Sequence, residues 1–348
     1  MKDKTLIIEA SNIHLGGGYV LLQQLLAQLE GIDQRSIVFL DSRLKEKISS
    51  SLNIEVNFIE PRLISRLKHY VSLPRILKVN DTLFCFGNIP PFGKPRCYRS
   101  FVFLQNWFLV CKLREIKADN WGVYIRLLFE RALLRIFSKN IDFLIVQTDS
   151  MKRQLQNSFT NLDILVQPFF SMPKVIKSES ADFYFYPARG DDSKNHCNLV
   201  KAWVHLSKQE FRPQLIITVD PRVNSELVAW IEKMKLKFEL DIKNIGFVNT
   251  CEIVNMYSKS PIIIFPSYFE SFGLPLVEAN TLDLDIVASE LDYVRDVCRP
   301  KETFDPNSHT SIARAVLRHR NLDSELKCGS AIDIINTLIN EGIPSNEK

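Results

Sequence analysis

Glu270 and Glu278 stand eight positions apart in Pro261-Ile-Ile-Ile-Phe-Pro-Ser-Tyr-Phe-Glu270-Ser-Phe-Gly-Leu-Pro-Leu-Val-Glu278-Ala-Asn-Thr-Leu. The apolar run Ile262–Phe265 suits a buried strand and is too short for a helix. Pro266 and Ser267 end it, and a polar turn carries Glu270, Ser271 and Gly273. Pro275 fits the first turn of a helix, where its missing N–H costs nothing, and Glu278 is expected in that turn. A carboxylate at a strand's C-terminal end stands where open α/β sheets bind ligands. Backbone N–H groups from about Gly273 onward would point at an anion or a hydroxyl.

Opposite charge comes from Arg189 and Lys194, five apart in Tyr186-Pro-Ala-Arg-Gly-Asp-Asp-Ser-Lys-Asn-His196. They follow the strand-like Phe183–Tyr186 and precede a helix running to about Leu206, which Asp192 or Ser193 can cap. A guanidinium, an ammonium and unpaired N–H groups would converge there on a diphosphate. A solvated turn with two surface cations is the plainer alternative, and Asp191 and Asp192 crowd the same turn.

The first half offers weaker signals. Gly16, Gly17 and Gly18 follow the strand-like Thr5–Glu9 and precede helix-forming Tyr19–Leu29. A turn of this kind lets the backbone approach a phosphate or sugar, or is simply flexible. His14, just before it, is a ligand contact or an exposed loop histidine. Asn88, in the Pro/Gly-rich Gly87–Pro95 loop, and Gln105-Asn106, directly after Phe101–Leu104, suit hydroxyl recognition. Capping and turn hydrogen bonds are equally economical roles.

The elements that must position these residues alternate. Strand-like runs recur at Ser36–Leu40, Glu55–Ile59, Thr82–Phe86, Phe101–Leu104 and Phe143–Val146, with helical patterns between most of them. A second series has strands near Gln214–Thr218, Asn244–Phe247, Ile262–Phe265 and Asp285–Ala288, with helices near Asn224–Lys237 and Thr250–Ser258. Alternation predicts α/β architecture, with parallel sheets covered by helices on both faces. The periodicity loosens from Gln167 to Ala181, and 348 residues exceed what one core usually supports. The division expected is a first domain over 1–172, a second over 173–320, and a helical tail over 321–348, with Ser308–His319 and Ser324–Asn340 helical and long enough to pack back on the first domain.

Charge is split between the halves. Residues 1–178 hold 25 Lys+Arg against 15 Asp+Glu, whereas the remainder holds 19 against 25. Two basic and apolar stretches, Arg62 to Lys78 and Arg126 to Lys139, contribute to the first excess. Arg131 and Arg135 share a helical face there, with leucines opposite. A helix packed on the sheet with a solvated basic face explains either stretch; together with the domain's charge they also fit anionic lipid headgroups. No recognisable nucleic-acid module accompanies them. The seven cysteines are scattered and never spaced as CxxC, which argues against a zinc site or disulfide framework and suits a reducing compartment. The N-terminal MKDKTLIIEAS reads as no signal peptide, and no apolar run approaches a spanning helix.

Pro266-Ser-Tyr-Phe-Glu270-Ser-Phe-Gly-Leu-Pro-Leu-Val-Glu278-Ala resembles the E-x7-E signature of the retaining glycosyltransferases of family 4, the group 1 glycosyltransferases. Tyr186-Pro-Ala-Arg189…Lys194-Asn resembles that family's Gly-Arg…Lys segment, and Asn244-Ile-Gly246-Phe-Val with Glu252 to Tyr257 falls in its following pattern. The likeness spans about 183–316. It departs where the family commonly has Gly-x-Pro and this chain has Asn280-Thr-Leu-Asp283. The family's acceptor-side histidine has no secure match, and Gln105-Asn106 lies near its place.

The resemblance implies a GT-B fold: two Rossmann-like domains facing each other across a cleft. Glu270 would sit by the donor sugar, with the N–H groups of Ser271, Phe272, Gly273 and Leu274 on its hydroxyls or phosphate. Glu278 would bind the ribose, and Arg189 and Lys194 would neutralise the diphosphate, in place of a metal. The expected activity is a retaining, metal-independent transfer from a UDP- or GDP-linked sugar to a lipid-linked or oligosaccharide acceptor in surface polysaccharide synthesis. The acceptor side would include Gly16–Gly18, Asn88, Gln105 and Asn106. No cofactor beyond the co-substrate is expected; the expected place is the cytoplasm or the inner face of the plasma membrane. A sugar-nucleotide-binding pseudoenzyme, an assembly subunit and an epimerase of the same fold are the competing readings.

Overall fold

Apolar strands alternating with helices give two separate parallel sheets in the computed structural model, which describes residues 4–48, 54–93, 99–111, 121–172, 175 and 182–322. In chain order the first series is β1 (Leu6–Ala10), α1 (Gly16–Glu30), β2 (Ser36–Asp41), β3 (Ile54–Ile59), α2 (Leu63–Ile76), β4 (Thr82–Cys85), β5 (Arg99–Phe103), α3 (Trp121–Phe137), β6 (Phe143–Val146), α4 (Asp149–Gln156) and β7 (Asp163–Val166). The second series is β8 (Phe183–Tyr186), α5 (His196–Ser207), β9 (Gln214–Ile217), α6 (Ser225–Phe238), β10 (Ile242–Asn244), α7 (Thr250–Ser258), β11 (Ile262–Phe265), α8 (Leu274–Thr281), β12 (Ile286–Ser289), α9 (Asp292–Val297), β13 (Glu302–Phe304) and α10 (His309–His319). The strand orders are β3-β2-β1-β4-β5-β6-β7 and β10-β9-β8-β11-β12-β13.

Both sheets are doubly wound, and each reverses direction beside its first strand, between β1 and β4 and between β8 and β11. Ligands of such sheets bind outside the strand ends at that reversal. Every residue of β8, β11 and β12 is buried, as expected for parallel strands covered on both faces. The first sheet has a core on each side, one built on α1 and the other on α2, α3 and α4.

Several boundaries differ from the sequence-based expectation. The helix expected from Tyr19 begins at Gly16, so the three glycines form its first turn, with Gly16 at φ +71°. The strand expected at Asn244–Phe247 is β10, which ends at Asn244. Its side chain accepts from the N–H groups of Val219 and Gly246 at 3.0 and 3.1 Å and turns the chain out of the sheet. Strands β7 and β13 were not anticipated. The helix after β8 begins at His196 with Asn195 in the left-handed region and no side-chain cap; Asp192–Lys194 forms a separate 3-10 turn ahead of it.

The chain stays on the first sheet as far as Ser171: Phe169 and Phe170 pack on its core, and Gln24 exchanges two 2.9 Å bonds with the Ser171 backbone. Pro173 and 176–181 of the expected linker, Lys94 and Pro95, and the expected helix Ser324–Asn340 lie outside the described residues. The last described helix, α10, packs on α5 and β13 of its own half.

Candidate active site

The loop after β11 is held by hydroxyl and amide groups buried beneath it. Tyr186, at the end of β8, donates its OH to the Lys194 carbonyl at 2.8 Å and lies 2.8 Å from Ser267 Oγ. Tyr293 OH and Ser289 Oγ donate to the Ser267 carbonyl at 2.8 and 3.1 Å. Asn195 Nδ2 reaches the carbonyls of Pro266 and Pro306, and Tyr268 N–H donates to Ser193 O at 2.9 Å. Buried bonds of this density leave the backbone little freedom. The loops carrying Lys194 and Glu270 are therefore one rigid unit.

On that unit Lys194 Nζ lies 2.5 Å from Glu270 Oε1, with both side chains mostly screened from water. The turn after Glu270 ends at Gly273, at φ +74°, a left-handed conformation that glycine adopts without strain. The N–H groups of Ser271, Phe272, Gly273 and Leu274 make no hydrogen bond to any described residue. They are the orphan donors ahead of α8, whose second residue is Pro275. Glu278 begins the second turn of α8, one step beyond the expected first turn. Its Oε2 accepts from Tyr257 OH at 2.6 Å. Burial pushes the Glu278 carboxyl above its ordinary value, and the Tyr257 bond pulls it partly back.

Arg189 is mostly exposed and pairs with Asp191 at 2.8 Å. Beside it, Gly190 has no room for a side chain: a Cβ would come within 2.6 Å of Asn224 Cγ. Arg189 and Lys194 both line the two cavities that open here, of about 530 and 550 Å³. The larger is walled by Ser271 to Pro275, Glu278, Val248 to Thr250 and, from the first sheet, Gly16, Gly17, Gly18 and Gln147. The smaller is walled by Asn88, Gln105 to Phe108, Arg126 and Leu127 from the first half, and by Arg189 to Lys194 and Phe269 to Ser271 from the second. Each is comparable to small-molecule sites and lies between the two sheets.

The halves meet around these cavities. Phe269 lies parallel to Trp107 with centroids 6.5 Å apart and edge-on to Phe108 at 5.5 Å. A Cβ on Gly17 would stand 3.1 Å from Leu274 Cδ1. Thr148 Oγ1 donates to Ser271 O at 3.2 Å, and Asp296 accepts from Ser150 N at 2.8 Å.

The sequence-selected residues thus gather, with qualifications. Asn88 and Gln105 have left part of their amides to turn bonding: Asn88 Oδ1 accepts from the N–H groups of Gln105 and Asn106, and Gln105 Nε2 donates to Phe86 O at 2.7 Å. Asn106 Oδ1 accepts from Phe108 N at 3.1 Å. His14 lines neither cavity and contacts Arg43 at 3.1 Å. Arg131 does not share a solvent face with Arg135. It is buried, donating to the carbonyls of Phe108 and Cys111 at 2.9 and 2.7 Å, because the turn after β5 presents carbonyls that need a donor. Sequence reading missed Gln147 and Arg126 as wall residues. Gln147 is an amide directly after a strand, the same signal that selected Gln105.

Among the described residues no group of three or more His, Cys, Asp or Glu could hold a metal ion. The site offers instead a cation, a carboxylate and a row of unpaired N–H groups around one space. That set can hold an anion and polarise or orient hydroxyls next to it.

Comparison with known proteins bears on the family likeness and the fold. The family model described as Glycosyl transferases group 1 matches residues 169–327. O-antigen chain mannosyltransferase B of Escherichia coli is 27% identical over 84 residues, which span 24% of this chain and 22% of that protein. Among solved structures, a sucrose-phosphate synthase from Thermosynechococcus elongatus superposes with a TM-score of 0.67 at 14% identity, over 91% of this chain and 90% of that one. The lipopolysaccharide outer core galactosyltransferase WaaB superposes with 0.62 at 15% identity, over 97% and 95%. The Anabaena protein HepE, solved with UDP and glucose, does so with 0.61 at 12%, over 91% and 90%. The two facing Rossmann-like sheets are the GT-B fold, and residues 169–327, a little under half of this chain, match the group 1 glycosyltransferases.

Proposed function

We propose that the protein is a retaining glycosyltransferase that moves a sugar from a UDP- or GDP-linked donor to a lipid-linked or oligosaccharide acceptor, without a metal, in surface polysaccharide synthesis. The donor occupies the larger cavity and the acceptor the smaller, where the two cavities share Glu270, Arg189 and Lys194. The observation that carries this reading is the Lys194–Glu270 pair facing the unpaired N–H groups of Ser271 to Leu274. HepE holds UDP and glucose on the same fold, which supports a nucleotide-sugar donor. Lys194 and Arg189 take the negative charge that grows on the departing diphosphate, an interaction stronger in the transition state than in the ground state. Glu270 orients the transferring sugar as the acceptor hydroxyl attacks from the face the diphosphate leaves.

Thermal shift against UDP-, GDP-, ADP- and dTDP-sugars is expected to single out one nucleotide. With the donor so named, Glu270→Gln should lower kcat roughly 100-fold or more, on the scale of losing a preorganised electrostatic contact. Transfer near the wild-type rate would remove Glu270 from the mechanism. No shift with any nucleotide would remove the transferase reading.

A further inference from the structure

Two helices of the first half present apolar residues to solvent in rows. On α2 they are Leu63, Ile64, Leu67 and Val71, with Leu63 77% and Ile64 68% exposed. At 100° per residue these four span one 100° sector, and Lys68 and Arg75 border it. On α3 they are Ile125, Phe129 and Ile136, spaced four and seven apart, which is a straight stripe along the helix. Arg126 lies to one side of that stripe, and Arg135 lies to the other.

The two rows look the same way. Leu73 of α2 and Leu127 and Leu134 of α3 are buried in one core on one face of the first sheet. Beneath the surface Phe92 joins the helices, stacking on Tyr70 at 5.2 Å and on Phe137 at 4.8 Å. Exposed leucine, isoleucine and phenylalanine in contiguous rows exceed the scattered apolar residues that a soluble surface tolerates.

Charge decides what covers this face. The segment forming α2 has no acidic residue, and α3 has only Glu130, which pairs with Arg126 at 3.6 Å. A second copy docked face to face would bring two basic rims together, which is unfavourable. An anionic bilayer meets both demands: acyl chains for the rows and headgroups for the rim. We infer that α2 and α3 form a face that binds anionic lipid bilayers peripherally. Arg126 and Leu127 also line the acceptor-side cavity, so α3 runs from the bilayer face to the site of transfer. This inference goes beyond the transfer reaction and does not depend on it.

Sedimentation of the full chain with vesicles tests it. At low salt the protein is expected to pellet with phosphatidylcholine/phosphatidylglycerol vesicles, to pellet poorly with phosphatidylcholine alone, and to be released by salt. The double variant Ile64→Ser/Phe129→Ser should bind at least about tenfold more weakly, and Lys68→Ala/Arg75→Ala should lose the preference for anionic vesicles. The nucleotide thermal shift, retained in both variants, reports that each is folded and that its donor half is intact. Absence of binding to anionic vesicles, or binding that both variants leave unchanged, overturns the inference. A dimer in sedimentation velocity that Phe129→Ser dissociates overturns it in favour of self-association. Vesicle binding by a chain that shifts with no nucleotide supports this inference and counts against the transfer reading alone.

Discussion

Glu278 is a carboxyl group on the wall of the larger cavity, with one oxygen taken by a hydrogen bond. Tyr257, fully buried and edge-on to Phe185 at 6.0 Å, donates to Oε2 at 2.6 Å. Burial, then the neighbouring Glu278 charge, holds the Tyr257 phenol well above its ordinary pKa, so it stays a donor across the working pH range. A carboxylate fixed in this way can present its remaining oxygen to a ribose hydroxyl in one orientation. On that reading Tyr257 positions Glu278, and losing its hydroxyl removes one net hydrogen bond of about 1 kcal/mol. Tyr257→Phe is therefore expected to weaken nucleotide binding by roughly fivefold and to narrow the preference for UDP over 2′-deoxy-UDP, or GDP over 2′-deoxy-GDP, in titration calorimetry. An unchanged ratio between ribo- and deoxyribonucleotide would leave Tyr257 as packing only. The two glutamates were legible because their spacing and flanking Pro and Gly are local; Tyr257 is 21 positions away, and no spacing reveals a bond across two helices.

The elements show the same divide between local and distant information. Strands β8 and β11 were readable because all four residues of each are apolar and bounded by proline or polar residues. Strand β13 has three residues, one of them charged, and exists because β12 supplies its pairing. Helix α1 has three glycines in its first turn, where Gly17 packs under Leu274 of the other half and Gly18 lies against Gln105, contacts that intrinsic propensity cannot foresee. Asn88, Gln105 and Asn106 were selected for their amides and for their place after strands, yet much of that capacity is spent on the turn they build. Arg131 is the sharpest case. Its spacing to Arg135 suggested a solvated face, whereas α3 turns it inward, under the loop that carries Trp107 and Phe108. Replacing it removes its hydrogen bonds to the Phe108 and Cys111 carbonyls, at about 1 kcal/mol each. Arg131→Met should cost about 2 kcal/mol in urea denaturation, and loosening the ring pair against Phe269 should lower kcat/KM more than nucleotide affinity. A stability loss within about 0.5 kcal/mol would show that these two bonds contribute little.

At the scale of the whole molecule, two sheets face each other across a seam that holds the two cavities. Among the described residues the Phe269 ring pair, Leu274 against Gly17, the bonds to Thr148 and Ser150, and the ion pairs of Arg153 with Asp292 and Asp296 join the halves, so they can separate by breaking a short row of interactions. Each half must then be stable by itself, and in the second half the groups under the site contribute to that stability unequally. His196 is buried beside Tyr186 with neither ring nitrogen hydrogen-bonded. Burial, and next the charge of Lys194, pushes its pKa down to about 3 from an ordinary 6.5. The native chain therefore stays unprotonated there while the unfolded chain takes up a proton below about pH 6.5. The stability tied to a neutral His196 is complete above that pH and is lost progressively as pH falls toward 3, at up to about 1.4 kcal/mol per pH unit. Urea midpoints of the wild type should thus fall by an amount equivalent to about 2 kcal/mol between pH 6.5 and 5. In His196→Leu no buried partner loses a bond, so stability at pH 7.5 should remain within about 1.5 kcal/mol of the wild type and the acid slope should flatten by that contribution. An acid slope equal to the wild type's would assign the sensitivity to other groups. A variant strongly destabilised at pH 7.5 would mean that the imidazole makes polar interactions on the floor of the site.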